Sequence, residues 1–298
     1  MRVTQSMISN NTLRHISESY SKLAQLQEQT QTGKKFSKPS DNPVAAMRAM
    51  GYRTDLNNIK QYQQNIGEVK TWVDSTDDAL NQGVLALQKI RELTVQASNG
   101  SMEESQRSYV ATEIEQLQEQ LRNVYDTQIG GKYIFNGTNT TVPPSSVNPD
   151  TDPDQLNTDK INLEVFSGIT LPLNTPGKDI FGDVTSKDSN SSITSLINTL
   201  KDPNASETDI SNHLSKLDQQ IDKFLTARSN VGAKQNRVDM MSDRLDTQEV
   251  TSTQILSDNE NIELEEAIMN LTMQESVHRV ALSVGAKIMQ PTLMDFLR

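Results

Sequence analysis

Residues 59–97 read IKQYQQNIGEVKTWVDSTDDALNQGVLALQKIRELTVQA, and this stretch decides the fold. Ile59, Tyr62, Ile66, Val69, Val73, Thr76, Leu80, Gly83, Leu87, Ile90, Thr94 and Ala97 recur at alternating spacings of three and four. That is the period of a helix burying one stripe against another helix. Thr76, Gly83 and Thr94 are weak seam residues, so the stripe is loose in places. A second series lies far downstream. Ile210, Leu217, Phe224, Val231, Val238 and Leu245 stand seven apart, with Leu214 and Ile221 between them. The same in-between positions are then polar, at Arg228, Gln235 and Ser242. A polar seam residue sets register at a cost in stability. The two seams can satisfy one another within one chain.

Working outward, a first helix is predicted over about residues 9–32, with Gly33 as its C′ residue. Pro39 and Pro43 then mark a loop and a restart, with Asp41 or Asn42 as the new cap. Ser101 with Glu104 reads as a capping box for a third helix carrying Val110, Ile114, Leu117, Leu121 and Val124. That helix is predicted to stop near Gly130-Gly131. Lys132-Tyr133-Ile134-Phe135 before Asn136-Gly137 reads as a strand and a tight hairpin turn. From Thr138 to Asn190, Pro, Asp, Asn, Ser and Thr dominate, which predicts a small β-rich insert. Helix returns near Ser192, and a last helix is predicted to start near Asp258.

The order of helices, insert, helices predicts a mainly α fold. It is a rod of long antiparallel coiled-coil-like helices, with the insert at one pole and both termini at the other. At about 1.5 Å per residue, a helix over 44–97 is roughly 80 Å long. The predicted domains are 1–42 with 253–298 as terminal assembly helices, 43–137 with 191–252 as the helical rod, and 138–190 as the insert.

Both termini carry apolar residues without an evident internal partner. Leu13, Ile16, Tyr20, Leu23 and Leu26 mark the first helix, and Ile268, Leu271, Val277, Ala281, Val284 and Ile288 the last, followed by Leu293, Phe296 and Leu297. Single helices with such stripes do not stay exposed in water. These residues are the candidate subunit-assembly contacts.

Of the 298 residues, 34% are hydrophobic and 4% aromatic, which suits one-striped helices better than a compact core. A net charge of −11 disfavours nucleic acid as a partner. Cysteine is absent, which removes disulfide and thiolate chemistry. Arg279, Lys287, Gln290 and Pro291 interrupt the C-terminal apolar stretch, so no membrane span is predicted. Met1 to Asn11 has no apolar h-region, so any export would proceed without a cleaved signal peptide.

The sequence offers no catalytic, cofactor or metal site. His15, His213 and His278 are scattered, and no H-E-x-x-H pair occurs. Neighbouring carboxylates at Asp77-Asp78, Glu103-Glu104 and Glu265-Glu266 diverge by about 100° on a helix. Asp150 to Asp154 opens like a calcium loop, but Gln155 and Ile161 occupy the positions that need Gly and Glu. Methionines crowd the last quarter, at Met240, Met241, Met269, Met273, Met289 and Met294, as adaptable interfaces do.

Several loop motifs, in order, carry a family resemblance. They are Thr32-Gly33-Lys34-Lys35 with Pro39-Ser40-Asp41-Asn42-Pro43, then Gln96-Ala97-Ser98-Asn99-Gly100 leading into Arg107 and Glu113-Ile114. Gly131 to Gly137 follows, then Arg228, Val231-Gly232-Ala233 and Asn236-Arg237, and last Lys287 to Leu297. Over about two thirds of its length the chain resembles the flagellin family of bacterial flagellar axial proteins. Gly131 to Gly137 and the tail resemble its hook–filament junction branch more than the bulk filament subunit.

The resemblance implies a structural, non-enzymatic subunit on the outside of the cell. It implies export through the flagellar type III apparatus with an export chaperone, and terminal helices that polymerise. The implied partners are other copies of the chain, the first hook-associated protein on the hook side and flagellin on the filament side. No nucleic acid, membrane or cofactor is implied. A bulk filament subunit and a non-flagellar coiled-coil adaptor are the alternative readings.

Overall fold

A computed structural model describes residues 5–99, 102–146, 157–189 and 191–289. The Ser101 cap, the acidic run at 150–154 and the positions of Leu293, Phe296 and Leu297 lie outside the described residues. The chain is mainly helical: α1 (Gln5–Thr32), α2 (Pro43–Ser98), α3 (Glu104–Tyr125), β1 (Gln128–Ile129), β2 (Lys132–Tyr133), β3 (Asn162–Phe166), β4 (Ile169–Pro172), α4 (Lys178–Thr185), α5 (Ser192–Lys201), α6 (Glu207–Glu260) and α7 (Leu264–Met289). Contacts divide it into two units. Unit 1 comprises 1–58 and 248–298, and unit 2 comprises 59–247.

In unit 2 the two heptad seams face each other, antiparallel. As positions rise on α2 their partners fall on α6. Gln63 bonds Asp246 at 2.9 Å, Lys70 bonds Asp239 at 2.7 Å, and Arg91 bonds Asp218 at 2.6 Å. The polar seam residues fix this register. The Arg228 guanidinium donates to both Asp77 carboxylate oxygens, at 2.9 and 3.3 Å, and to Asn81 at 2.8 Å. Gln235 donates to Asp74 at 2.8 Å. One residue of slip on α6 would break every one of these bonds.

The weak seam positions have specific uses. Thr76 and Thr94 donate their hydroxyls to the carbonyls of Trp72 and Ile90, so each buried hydroxyl is satisfied within its own helix. Gly83 is a slot: a Cβ there would lie 2.4 Å from the Phe224 ring. Phe224 is fully buried, edge-on to Phe181, which stacks on Tyr125 at 4.9 Å and packs against Phe135 at 4.8 Å.

Helix α3 opens at Glu103, whose N–H donates to the Gln106 side chain at 3.4 Å. The α3 helix ends at Tyr125, short of the expected stop, and the hairpin turn is at Gly130-Gly131, between β1 and β2. Their φ angles of +57° and +79° demand glycine. Asn136-Gly137 makes a second turn, across which Tyr133 N–H donates to the Thr140 carbonyl.

Among its described residues the β structure of the insert is one hairpin, β3–β4, turning at Gly168. A 3-10 turn at Pro144–Ser146 and helix α4 are its other regular elements there. Val165, Leu171, Phe181 and Val184 belong to the same core as the long helices. The insert therefore packs along the α2–α6 pair within unit 2. Phe166 is held between the Tyr62 ring and the Arg244 guanidinium, and Asn65 donates to the Glu164 carbonyl at 2.6 Å. Asn65 and Arg244 stand off the seam, where periodicity does not point, whereas Tyr62 is a seam residue that meets the insert.

In unit 1, α1 starts at Gln5 and ends with Gly33 at φ +68°. Asn42 caps α2, accepting from Ala45 N–H at 3.1 Å ahead of Pro43. Asp41 closes the loop by accepting from the Ser37 and Lys38 amides. After a break at Asn261 to Glu263, α7 starts at Leu264, six residues later than expected. Asn261 forms an antiparallel bridge with Lys34, and Ile262 N–H donates to the Gly33 carbonyl at 3.0 Å. That backbone pairing, which the chain pattern does not announce, ends α6.

Candidate assembly surface

Unit 1 folds without a conventional core. Its buried hydrophobic residues, among those described, are Ala46, Ala49 and Ala267. Helices α1 and α7 run antiparallel, and the faces they press together mix half-buried Ile16, Leu23, Leu26 and Leu271 with small and polar residues. Ser19 is buried and meets Gln274 at 3.0 Å and His278 at 3.3 Å. Gly285 sits against Ile16 and Thr12, where a Cβ would lie 2.9 Å from Ile16. His278 also lies against the Tyr20 ring.

Other large apolar side chains point outward. Leu13, Tyr20, Ile268, Val277 and Val284 are exposed, by 46–64%. Ile16, Leu23, Leu26, Leu271 and Ala281 are half-buried along the pair. Ile288 lies within α7, but its side chain is outside the described residues, as are Leu293, Phe296 and Leu297. The expected set thus separates into an inner seam and an outer face. Several outer residues escaped the sequence reading: Met7, Ile8, Val280 and Leu282 are exposed as well. Their signal was the breadth of apolar coverage on both helices. In ordinary soluble helices the large apolar residues face inward. Here several face outward, and exposed apolar area of this extent marks an interaction surface.

One joint ties the start of this surface together. Glu260, 4% exposed, accepts a hydrogen bond from Arg53 Nη2 on Oε2 at 2.8 Å, with the same nitrogen 2.7 Å from Oε1 as an ion pair and Lys34 Nζ 3.3 Å from Oε2. Lys35 N–H donates to the Glu260 carbonyl at 2.6 Å, and Asn259 donates to the Ala45 carbonyl at 3.0 Å. Burial pushes the Glu260 carboxyl up, but the bonds and charges of Arg53 and Lys34 outweigh it and hold the carboxyl below its ordinary value. A depressed carboxyl stabilises the fold above the unfolded pKa of about 4.3, and that contribution is lost as pH falls through the lower, folded value. Hydrogen-exchange protection of the Lys35 and Ile262 amides should therefore hold from neutral pH to about 5 and fall below about 4. Glu260→Gln should weaken it already at neutral pH, by about 1–3 kcal/mol. Unchanged protection in that variant would remove Glu260 from its assigned role.

Other chemistry is structural. His15 is exposed beside Glu18, and His213 bonds Thr199 at 3.1 Å. Asp77 is occupied by Arg228. Among the described residues no group of three or more His, Asp or Glu could hold a metal, and no helix is long and apolar enough to cross a membrane.

The profile described as the bacterial flagellin N-terminal helical region matches residues 3–140. The chain is similar to flagellar hook-associated protein 3 of Escherichia coli K12, at 28% identity over 93% of each chain. It is 22% identical to flagellin of Bacillus subtilis over 80% of each chain. A solved structure of a flagellar hook-associated protein from Vibrio parahaemolyticus shares the fold, with a TM-score of 0.65, at 23% identity, over 74% of this chain and all of that one.

Proposed function

We propose that this chain is a structural subunit of the bacterial flagellum that joins hook to filament and is built in through unit 1. One observation carries the reading: among the described residues of unit 1 the fully buried hydrophobic side chains are alanines, while α1 and α7 expose Leu13, Ile268, Val277, Val280, Leu282 and Val284. Such a unit gains its stability by covering that face with neighbours, at about 25 cal/mol per Å² of apolar area. The neighbours are other copies of the chain, the first hook-associated protein at one side and flagellin at the other. The full-length likeness to hook-associated protein 3 supports the junction role over that of the bulk filament subunit, whose likeness covers less of the chain. The chain passes through the flagellar export apparatus with a chaperone, and it acts outside the cell. Its role is mechanical and not enzymatic.

Ile268→Asp with Leu282→Asp tests the surface. Both side chains are about half exposed in the single chain, at 46%. Helix content and the unfolding midpoint of unit 2 should stay as in the unaltered chain, while incorporation into flagella is lost. Incorporation at the normal level would overturn the reading.

A further inference from the structure

The loop after α1 and the first turns of α2 enclose a groove of about 490 Å³ that the α1–α7 surface does not use. Ala46 and Ala49 form its buried floor, and Phe36, Pro39 and Met50 form apolar walls. Lys34, Lys38 and Arg53 stand on its rim beside Glu260, which pairs with Lys34 and Arg53 and leaves the rim net positive. Met50 is 56% exposed, and Met47 and Val44 extend the open apolar strip along α2. Such a strip on a helix needs a cover.

A matching ridge lies at the same end of unit 1. Helix α7 begins two residues beyond Ile262, whose amide bonds the Gly33 carbonyl at the start of the groove loop. On that first stretch of α7, Leu264 and Ile268 stand one turn apart, 53% and 46% exposed. Glu263, Glu265 and Glu266 flank them, exposed and without an ion pair among the described residues. Ridge and groove are thus apolar at the centre and opposite in charge at the edge. They begin at one joint, so a chain does not fill its own groove while leaving its own ridge exposed.

We infer that the groove at Ala46 and Ala49 is the socket for the Leu264–Ile268 ridge of a second copy. The inference rests on the assembly reading and specifies one of its contacts. Because socket and ridge lie at the same end of unit 1, the contact is head-to-tail and sets copies side by side at one level. A heterologous contact of this kind generates a ring or a helical turn and not a closed dimer. The opposite charges fix which face meets which.

The absence of cysteine makes the test clean. One full-length chain carries Pro39→Cys and a size tag, and another carries Leu264→Cys. With one cysteine per chain, no disulfide can form within a chain. The two are mixed at concentrations where sedimentation shows association, then oxidised. The mixed dimer should dominate over either homodimer. Adding Glu265→Lys and Glu266→Lys to the ridge chain should lower its yield by roughly fivefold. Homodimers in excess, or associated chains without the mixed bond, overturn the socket and leave assembly standing. Chains that sediment as monomers at every concentration and form no bond overturn both.

Discussion

Removing residues 277–298 is expected to abolish self-association while leaving unit 2 folded. The deletion takes away the exposed Val277, Val280, Leu282 and Val284 and the half of the α7 seam around Ala281 and Gly285. Burying the rest of a half-exposed aliphatic side chain is worth about 1 kcal/mol. Four of them amount to about 4 kcal/mol, roughly a thousandfold in an association constant. Unit 2 should be indifferent, since its core and its Arg228–Asp77 register bonds lie wholly within 59–247. Sedimentation should find the truncated chain monomeric, with the urea midpoint of unit 2 unchanged. Native-like association of the truncated chain, or collapse of unit 2, would contradict the division of labour. In the intact monomer, α1 and α7 should exchange their amides far faster than α2 and α6 within unit 2, because a two-helix pair with a half-buried seam is marginal alone.

The largest effect on stability is expected at Phe224. Replacing it by alanine empties the centre of the Phe181, Tyr125 and Phe135 cluster and should cost about 3–5 kcal/mol of unit 2 stability. The partner site gives a sharper signature. In the unaltered chain Gly83→Ala drives a Cβ into the ring and should destabilise, by about 1–3 kcal/mol. With Phe224→Ala present the same change meets no ring and should stabilise, by about 1 kcal/mol of helix propensity. Equilibrium urea unfolding of the four proteins measures the cycle. Equal effects of Gly83→Ala in both backgrounds would deny the slot.

The contrast between the two units explains what the sequence reveals. Along α2 and α6 the seam is written in large apolar residues, so heptad reading finds the helices, their pairing and the polar positions that set register. Even there Gly83 reads as a defect, because its meaning lies in a ring 141 positions away. On α1 the reading slips. Leu13, Ile16, Tyr20 and Leu23 look like one seam, yet the inner face runs through Ile16, Ser19, Leu23 and Leu26. Tyr20 drew the eye from Ser19, whose hydroxyl is what the inner face of α7 wants. Hydrophobic periodicity locates the face that needs covering, and on α1 and α7 that is the face we assign to neighbouring copies. The joint at Gly33 and Ile262 and the docking of Phe166 on Arg244 are backbone and off-seam contacts, which periodicity does not encode.

The central claim concerns place in the assembly, and one image decides it. Antibody-gold labelling of this chain on intact, isolated flagella should give a single compact cluster at the boundary between hook and filament. Label distributed along the filament, or none on the flagellum, would contradict the account.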